Sequence, residues 1–278
     1  MRETIGGSAI SPRTLHFDGL VVDLDGVVWL GHEAVPGSIS TLGELQARGV
    51  QLVFVTNDPV GSRGEYAVRL TEFGLDTSER QVVTSGSAVA ELVREQEGAG
   101  KAAFVIGSPA LKGEAERAGL EVRSGKAALA VDAVLVGGHP RFDYEELRLA
   151  AQAIRRGARL YAAGRDPTFP MPDGPWPATG AILAAVETTA GTRATIAGKP
   201  EPYMFDVARS LLRSCSRIAV VGDDLEADIG GGKGAGLATV LVLTGTTSRD
   251  DVRTAELEPD LALDDLSALL ELYAATSG

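Results

Sequence analysis

The sequence predicts an α/β protein, a doubly wound parallel sheet interrupted by a large inserted α/β domain. Three observations carry this. Short apolar runs of strand length alternate with stretches of helical periodicity along the chain. Runs in the two outer parts of the chain end on residues with chemistry: Asp23 and Asp25, then Thr56 and Asn57, then Asp223. The block from about Thr84 to Thr192 repeats the alternation in a different style and is long enough for a domain of its own.

Taken in order, residues 1–17 form a polar lead-in without the apolar stretch of a signal peptide. Leu20, Val21, Val22 and Leu24 then make a buried strand. Val35 and Pro36 open a helix that stops near Gly49, and Val50 to Asp58 is a second strand. Ser62 to Phe73 is a helix closed by Gly74. In the insertion, helices are predicted at Ser87–Gln96, Ala110–Ala118, Tyr144–Arg156 and Thr179–Thr189. Strands are predicted at Ala102–Gly107, Ala133–Gly138 and Leu160–Ala163. The first style returns with a helix at Pro202–Arg213, strands at Ser216–Asp224 and Ala238–Thr244, and a terminal helix at Leu266–Ala274. The predicted division is therefore a core of 18–83 plus 193–278 around an insertion of 84–192.

The chain has 278 residues and a formal net charge of −12, which disfavours a nucleic-acid or anionic-membrane partner. An acidic protein that takes an anionic substrate must concentrate positive charge locally, through a metal, a lysine or helix N-termini. The lone Cys215 excludes an intrachain disulfide and a cysteine-based zinc site, and no apolar stretch is long enough to span a membrane. The reading is a cytosolic protein. The run Gly230–Gly236 lacks the ending of a phosphate-cradling loop and reads as a glycine-rich helix or turn.

Four features sit at or just beyond predicted core strand ends: Asp23 with Asp25, Thr56 with Asn57, Lys199, and Asp223 with Asp228. Each has a plain alternative, the aspartates as turn caps, Thr-Asn as a helix cap and Lys199 as a solvated turn residue. Together they supply what phosphoryl transfer from a monoester requires. They offer a carboxylate nucleophile, a second carboxyl for proton transfer, a hydroxyl and an amide for phosphate oxygens, a cation, and a further carboxylate for magnesium.

The stretches DLDGVVWLG, FVTN, GKPEPYMF and VGDDLEADI resemble, in order, the four motifs of the haloacid dehalogenase superfamily. The inserted region resembles the C2-type cap of its class IIA branch, the NagD-like para-nitrophenyl phosphatases. The resemblance spans about residues 18 to 265. It implies that Asp23 attacks phosphorus and that Asp25 protonates the leaving oxygen, then deprotonates the hydrolytic water. It implies phosphoryl binding by Thr56 and Asn57 and charge compensation by Lys199. Magnesium (Mg2+) would be held by the Asp23 side chain, the Asp25 carbonyl and Asp223, with Asp228 bracing the site. Dehalogenase members lack an acid/base at the position of Asp25, which favours a phosphatase. The expected substrate is a small phosphorylated metabolite over which the cap closes, and a homodimer through the cap is typical of the branch.

Some positions depart from the branch pattern. Asp58 follows Asn57 where relatives often carry a second asparagine; it either weakens binding of a phosphate dianion or caps the next helix, and the cap is the favoured reading. Arg165 precedes Asp166 in a cap loop expected near substrate, either recognising a second anionic group or solvated. Trp176, between two prolines, either lines the substrate pocket or staples its loop. His139 reads as a hydrogen-bonded structural histidine and Trp29 as packing after the first strand. Two other readings compete: a phospho-aspartate signalling module, disfavoured by the insertion, and a catalytically silent binding protein, disfavoured by the intact carboxylates and lysine.

Overall fold

The computed structural model describes residues 16–169, 171 and 173–275. The lead-in expected over 1–17 lies outside them through residue 15. The chain divides into two compact units, one of 1–56, 66–83 and 200–278 and the other of 57–65 and 84–199.

The first unit opens with β1 (Gly19–Asp23), buried along its whole length. A small hairpin follows, β2 (Trp29–Leu30) against β3 (Glu33–Ala34), then α1 (Ser38–Ala47) and β4 (Gln51–Thr56). α2 (Arg63–Glu72) leads to the short β5 (Val82–Thr84). Gly49 and Gly74 take positive φ after α1 and α2, where a side chain would be strained.

The second unit contains α3 (Ser85–Glu97), β6 (Ala102–Ile106), α4 (Pro109–Arg117), β7 (Glu121–Val122) and β8 (Ala133–Val136). α5 (Tyr144–Arg155), β9 (Arg159–Ala162), the β10 (Thr168–Phe169) and β11 (Trp176–Pro177) hairpin, α6 (Thr179–Ala190) and β12 (Thr195–Ile196) complete it. Its sheet runs β12-β9-β8-β6-β7 with every pairing parallel. Phe104, Ile106, Val134, Leu149, Leu160 and Val186 form its core.

The chain then returns to the first unit with α7 (Pro202–Leu211), β13 (Ile218–Gly222), a wide helical turn (Leu225–Gly230) and α8 (Gly231–Gly234). β14 (Ala238–Val242), α9 (Arg249–Thr254), β15 (Leu261–Leu263) and α10 (Ser267–Ala275) end it. The sheet order is β15-β14-β13-β1-β4-β5, with β1 parallel to both β4 and β13. From β1, strands β4 and β5 build in one direction and β13 to β15 in the other. The carboxyl ends of β1 and β13 therefore flank the switch point where ligands bind in open α/β sheets. Phe17 belongs to this core, with the Tyr273 hydroxyl donating to its carbonyl at 2.7 Å. Burial pushes the Tyr273 phenol up to about 12.

The glycine-rich run has a packing cause. A Cβ at Gly231 would stand 2.4 Å from the Phe205 ring, and one at Gly232 would stand 3.0 Å from Val220 and Thr239. The missing side chains let α8 close on α7 and the sheet, which offsets the cost of glycine in a helix. Among the described residues no helix is long and apolar enough to cross a membrane.

Candidate active site

Asp23 ends β1 and Asp223 follows β13, so parallel pairing of these strands sets the two carboxylates side by side. Asp228, in the wide helical turn, joins them. All three are buried, and ligand oxygens of the three lie within 4.8 Å of one another. Buried like charges at this spacing repel unless a cation or proton offsets them. Three hard carboxylate oxygens are the donor set magnesium prefers, so the residues fit the ion that the motifs imply.

The support around Asp223 is specific. Asp228 Oδ2 accepts from the backbone N–H of Asp223 at 3.2 Å and of Asp224 at 3.1 Å. Thr246 N–H donates to Asp223 Oδ2 at 2.5 Å and Thr247 N–H to the Asp223 carbonyl at 3.1 Å. Two glycines make the slot. A Cβ on Gly26 would fall 2.4 Å from the Asp223 carboxyl, and one on Gly245 would fall 2.1 Å from Asp223 Oδ2. Thr244 Oγ1 closes the arrangement by donating to the Gly26 carbonyl at 2.5 Å.

Asp25 lies two residues beyond Asp23, exposed, at the start of the tight turn that Gly26 makes with φ 79°. Its Oδ1 accepts from the Trp29 indole N–H at 3.0 Å. Thr56 ends β4 next to β1 and is buried.

Asn57 and Lys199 belong to the second unit and are tied together there. The Asn57 amide accepts from Lys199 N–H at 2.9 Å and donates to the Lys199 carbonyl at 3.0 Å. The same amide donates to Asp166 Oδ2 at 3.1 Å. Gly198 must lack a side chain, because a Cβ would stand 2.2 Å from the Ala163 carbonyl oxygen. Lys199 is buried. Within their respective units, the structure thus groups Asp23, Asp223 and Asp228 on one, and Asn57, Lys199 and Asp166 on the other.

The remaining candidates have other company. Arg165 is exposed and makes a two-pronged pair with Glu187, at 2.7 and 3.1 Å. Glu187 also accepts from Arg193 and from Ala194 N–H, both at 2.8 Å. These donors, Arg165 foremost, hold the Glu187 carboxyl down to about 2 from the ordinary 4.5. A folded-state value below the unfolded one contributes stability that is complete above about pH 4.5 and is lost as pH falls towards about 2. Glu187→Gln is therefore expected to lower the thermal midpoint at neutral pH. The gap to wild type should narrow in scans taken below about pH 4.5 and close only at about pH 2 and below. Trp176 is 40% exposed, stands edge-on to Phe169 and donates to Asp173 at 2.8 Å.

Asp58 does not cap α2. Its Oδ1 accepts from Val60 N–H at 2.8 Å, a local turn favoured by the proline that follows it. Ser62 and Glu65 cap the helix reciprocally, at 2.7 and 3.2 Å. His139 is hydrogen-bonded to Glu146 at 3.0 Å, the structural role expected for it. Thr244–Thr247 carries no sequence expectation beyond the strand end at Thr244, although like Thr56 it follows a buried strand.

Residues 20–121 match the family model described as haloacid dehalogenase-like hydrolase, and residues 196–269 match a second described as HAD-hydrolase-like. A chicken glycerol-3-phosphate phosphatase is 37% identical over 283 residues, covering 91% of each chain. The crystal structure of a glycerol phosphate phosphatase from Mycobacterium tuberculosis in complex with magnesium superposes with a TM-score of 0.84 at 35% identity. It covers 91% of this chain and 76% of that one. NagD from E. coli superposes at 0.81 with 31% identity, covering 90% and 97%. A parallel α/β fold with carboxylates at its switch point and relatives this close define the class: the chain belongs to the haloacid dehalogenase-like hydrolases. Within that family it is a phosphatase of the NagD-like class IIA branch.

Proposed function

We propose that this phosphatase is magnesium-dependent and hydrolyses a small phosphorylated metabolite through an aspartyl phosphate on Asp23. The observation that carries the reading is the cluster of Asp23, Asp223 and Asp228, three buried carboxylates converging at the carboxyl ends of the central strands β1 and β13. Asp23 and Asp223, with the Asp25 carbonyl, would hold the ion, and Asp228 braces Asp223 through its backbone amide. Magnesium, when bound, supplies positive charge to the phosphoryl oxygens.

An Asp23 oxygen attacks phosphorus while the ester P–O bond breaks, and Asp25 gives its proton to the departing oxygen. Asp25, now ionised, takes a proton from water as that water attacks phosphorus, and orthophosphate leaves with Asp23 restored. Thr56, Asn57 and Lys199 provide the hydroxyl, amide and ammonium that bind the phosphoryl group. Residues 18–83 and 193–278 act as the catalytic core and 84–192 as the cap that carries specificity, with Asp166 tied to Asn57. Glycerol phosphate leads the substrate candidates, as it names the chicken and mycobacterial relatives.

The test is phosphate release from a panel of esters, with magnesium and after its removal by a chelator. Glycerol 3-phosphate, phosphoglycolate, sugar phosphates, nucleoside monophosphates, pyridoxal phosphate and p-nitrophenyl phosphate make up the panel. Release that stops on chelation and returns with magnesium is expected. Turnover that persists without the metal would overturn the magnesium assignment, and well-folded protein that hydrolyses no ester would overturn the phosphatase mechanism.

A further inference from the structure

Trp29 is unusual for a residue beside an acidic turn. It is fully buried, yet its only ring polar atom, Nε1, points at Asp25 Oδ1 at 3.0 Å. The ring is held on several sides. Tyr66 lies parallel to it at 6.2 Å, Phe73 packs at 6.0 Å, and the Arg69 guanidinium sits 3.9 Å from the ring centroid. Arg69 also donates to the Gly31 carbonyl, which ties α2 to the end of the same turn. The backbone closes the loop from below: Gly26 N–H donates to the Trp29 carbonyl at 2.8 Å and Trp29 N–H to the Leu24 carbonyl at 3.1 Å. An exposed carboxylate is thus held by a donor whose ring is fully buried and packed by three side chains.

We infer that Trp29 is a positioning residue for Asp25, its indole N–H fixing the carboxyl plane so that Oδ2 carries the proton to and from the reacting oxygens. The inference rests on the proposed acid/base role of Asp25. A hydrogen bond accepted at Oδ1 opposes a proton there, and the locked ring leaves the carboxyl little freedom about its own axis. A carboxyl free to rotate spends most of its time away from the line of proton transfer, which costs rate in both chemical steps.

The two steps differ in their need for that proton, and this gives the test. Nitrophenolate is a good leaving group and departs unprotonated, whereas an alkyl alkoxide needs the acid. Hydrolysis of the aspartyl phosphate needs the base whichever ester formed it. Trp29→Phe keeps the aromatic packing and loses the N–H. Benzothienylalanine at position 29 keeps the ring's full shape and also lacks the N–H, so it separates the hydrogen bond from packing. In rapid-mixing experiments with p-nitrophenyl phosphate, both variants are expected to release the first nitrophenolate within about twofold of wild type. Breakdown of the phosphoenzyme should slow by about tenfold or more, producing a burst. With glycerol 3-phosphate the first step should slow as well.

Asp25→Asn is measured alongside, and its two steps should separate in the same sense. If they do and the Trp29 variants show no separation, the positioning role is overturned while the role of Asp25 stands. If Asp25→Asn shows none either, both fall together. A uniform loss in both steps by the benzothienyl variant, with an unchanged thermal midpoint, would also overturn the inference.

Discussion

Asp23→Asn is expected to reduce phosphate release at least about ten-thousand-fold, the scale seen when a nucleophile is removed from a constellation that acts as a unit. Asparagine keeps the shape of the side chain but offers an amide oxygen that cannot become an acyl phosphate and return. The accompanying change in stability separates this from a folding defect. Asp23 shares a buried space with Asp223 and Asp228, their oxygens within 4.8 Å. Removing one of three neighbouring negative charges relieves repulsion. The metal-free variant should therefore unfold at the same temperature as wild type or higher. Phosphate release within tenfold of wild type would show that another group attacks phosphorus.

Gly245→Ala is the second large effect, and it acts without touching an ionisable group. The new methyl would lie 2.1 Å from Asp223 Oδ2 and 2.8 Å from the Gly26 Cα, so it has no room to move away on the Gly26 side either. The carboxylate must shift by about an ångström, a displacement that costs on the order of a hundredfold in rate. Magnesium affinity, read by calorimetric titration of the unreacted protein, should fall by about ten- to a hundredfold, as for lost support of a metal ligand. Gly234→Ala is the matched control. Gly234 lies in α8 with nothing within 4 Å of its would-be Cβ, so alanine there should leave affinity unchanged and stabilise the helix slightly. Equal magnesium affinity in the Gly245 variant and wild type would remove Asp223 from the metal site.

The parts of this site readable in the sequence are those set by local pattern. β1 and β13 are apolar runs ended by aspartates, and burial of both sheet faces is what makes such runs conspicuous. The long helices announce themselves by periodicity, α5 most clearly. What escaped is what depends on distant partners or on very short elements. β7 and β12 have two residues each and β15 three, too few for any period to register. The pairing of Arg165 with Glu187, on α6, crosses 22 residues of sequence, so position alone left Arg165 as solvated or substrate-facing. The preference of aspartate for N-caps points to Asp58 as the cap of α2. The structure gives the cap to Ser62, whose partner Glu65 stands three residues on, a capping box visible in the sequence itself. Gly245 was unreadable for a different reason. Only the approach of Asp223 from another strand makes a side chain there impossible.

In the proposed mechanism Asp23 carries the phosphoryl group between ester and water. The most direct measurement is to quench the enzyme in acid during turnover of p-nitrophenyl phosphate with magnesium, then reduce with borohydride. Reduction converts an aspartyl phosphate to homoserine, which peptide mass spectrometry locates. Homoserine is expected at position 23, dependent on substrate and absent from the Asp23→Asn protein. Homoserine at another aspartate, or none during sustained turnover, would contradict it.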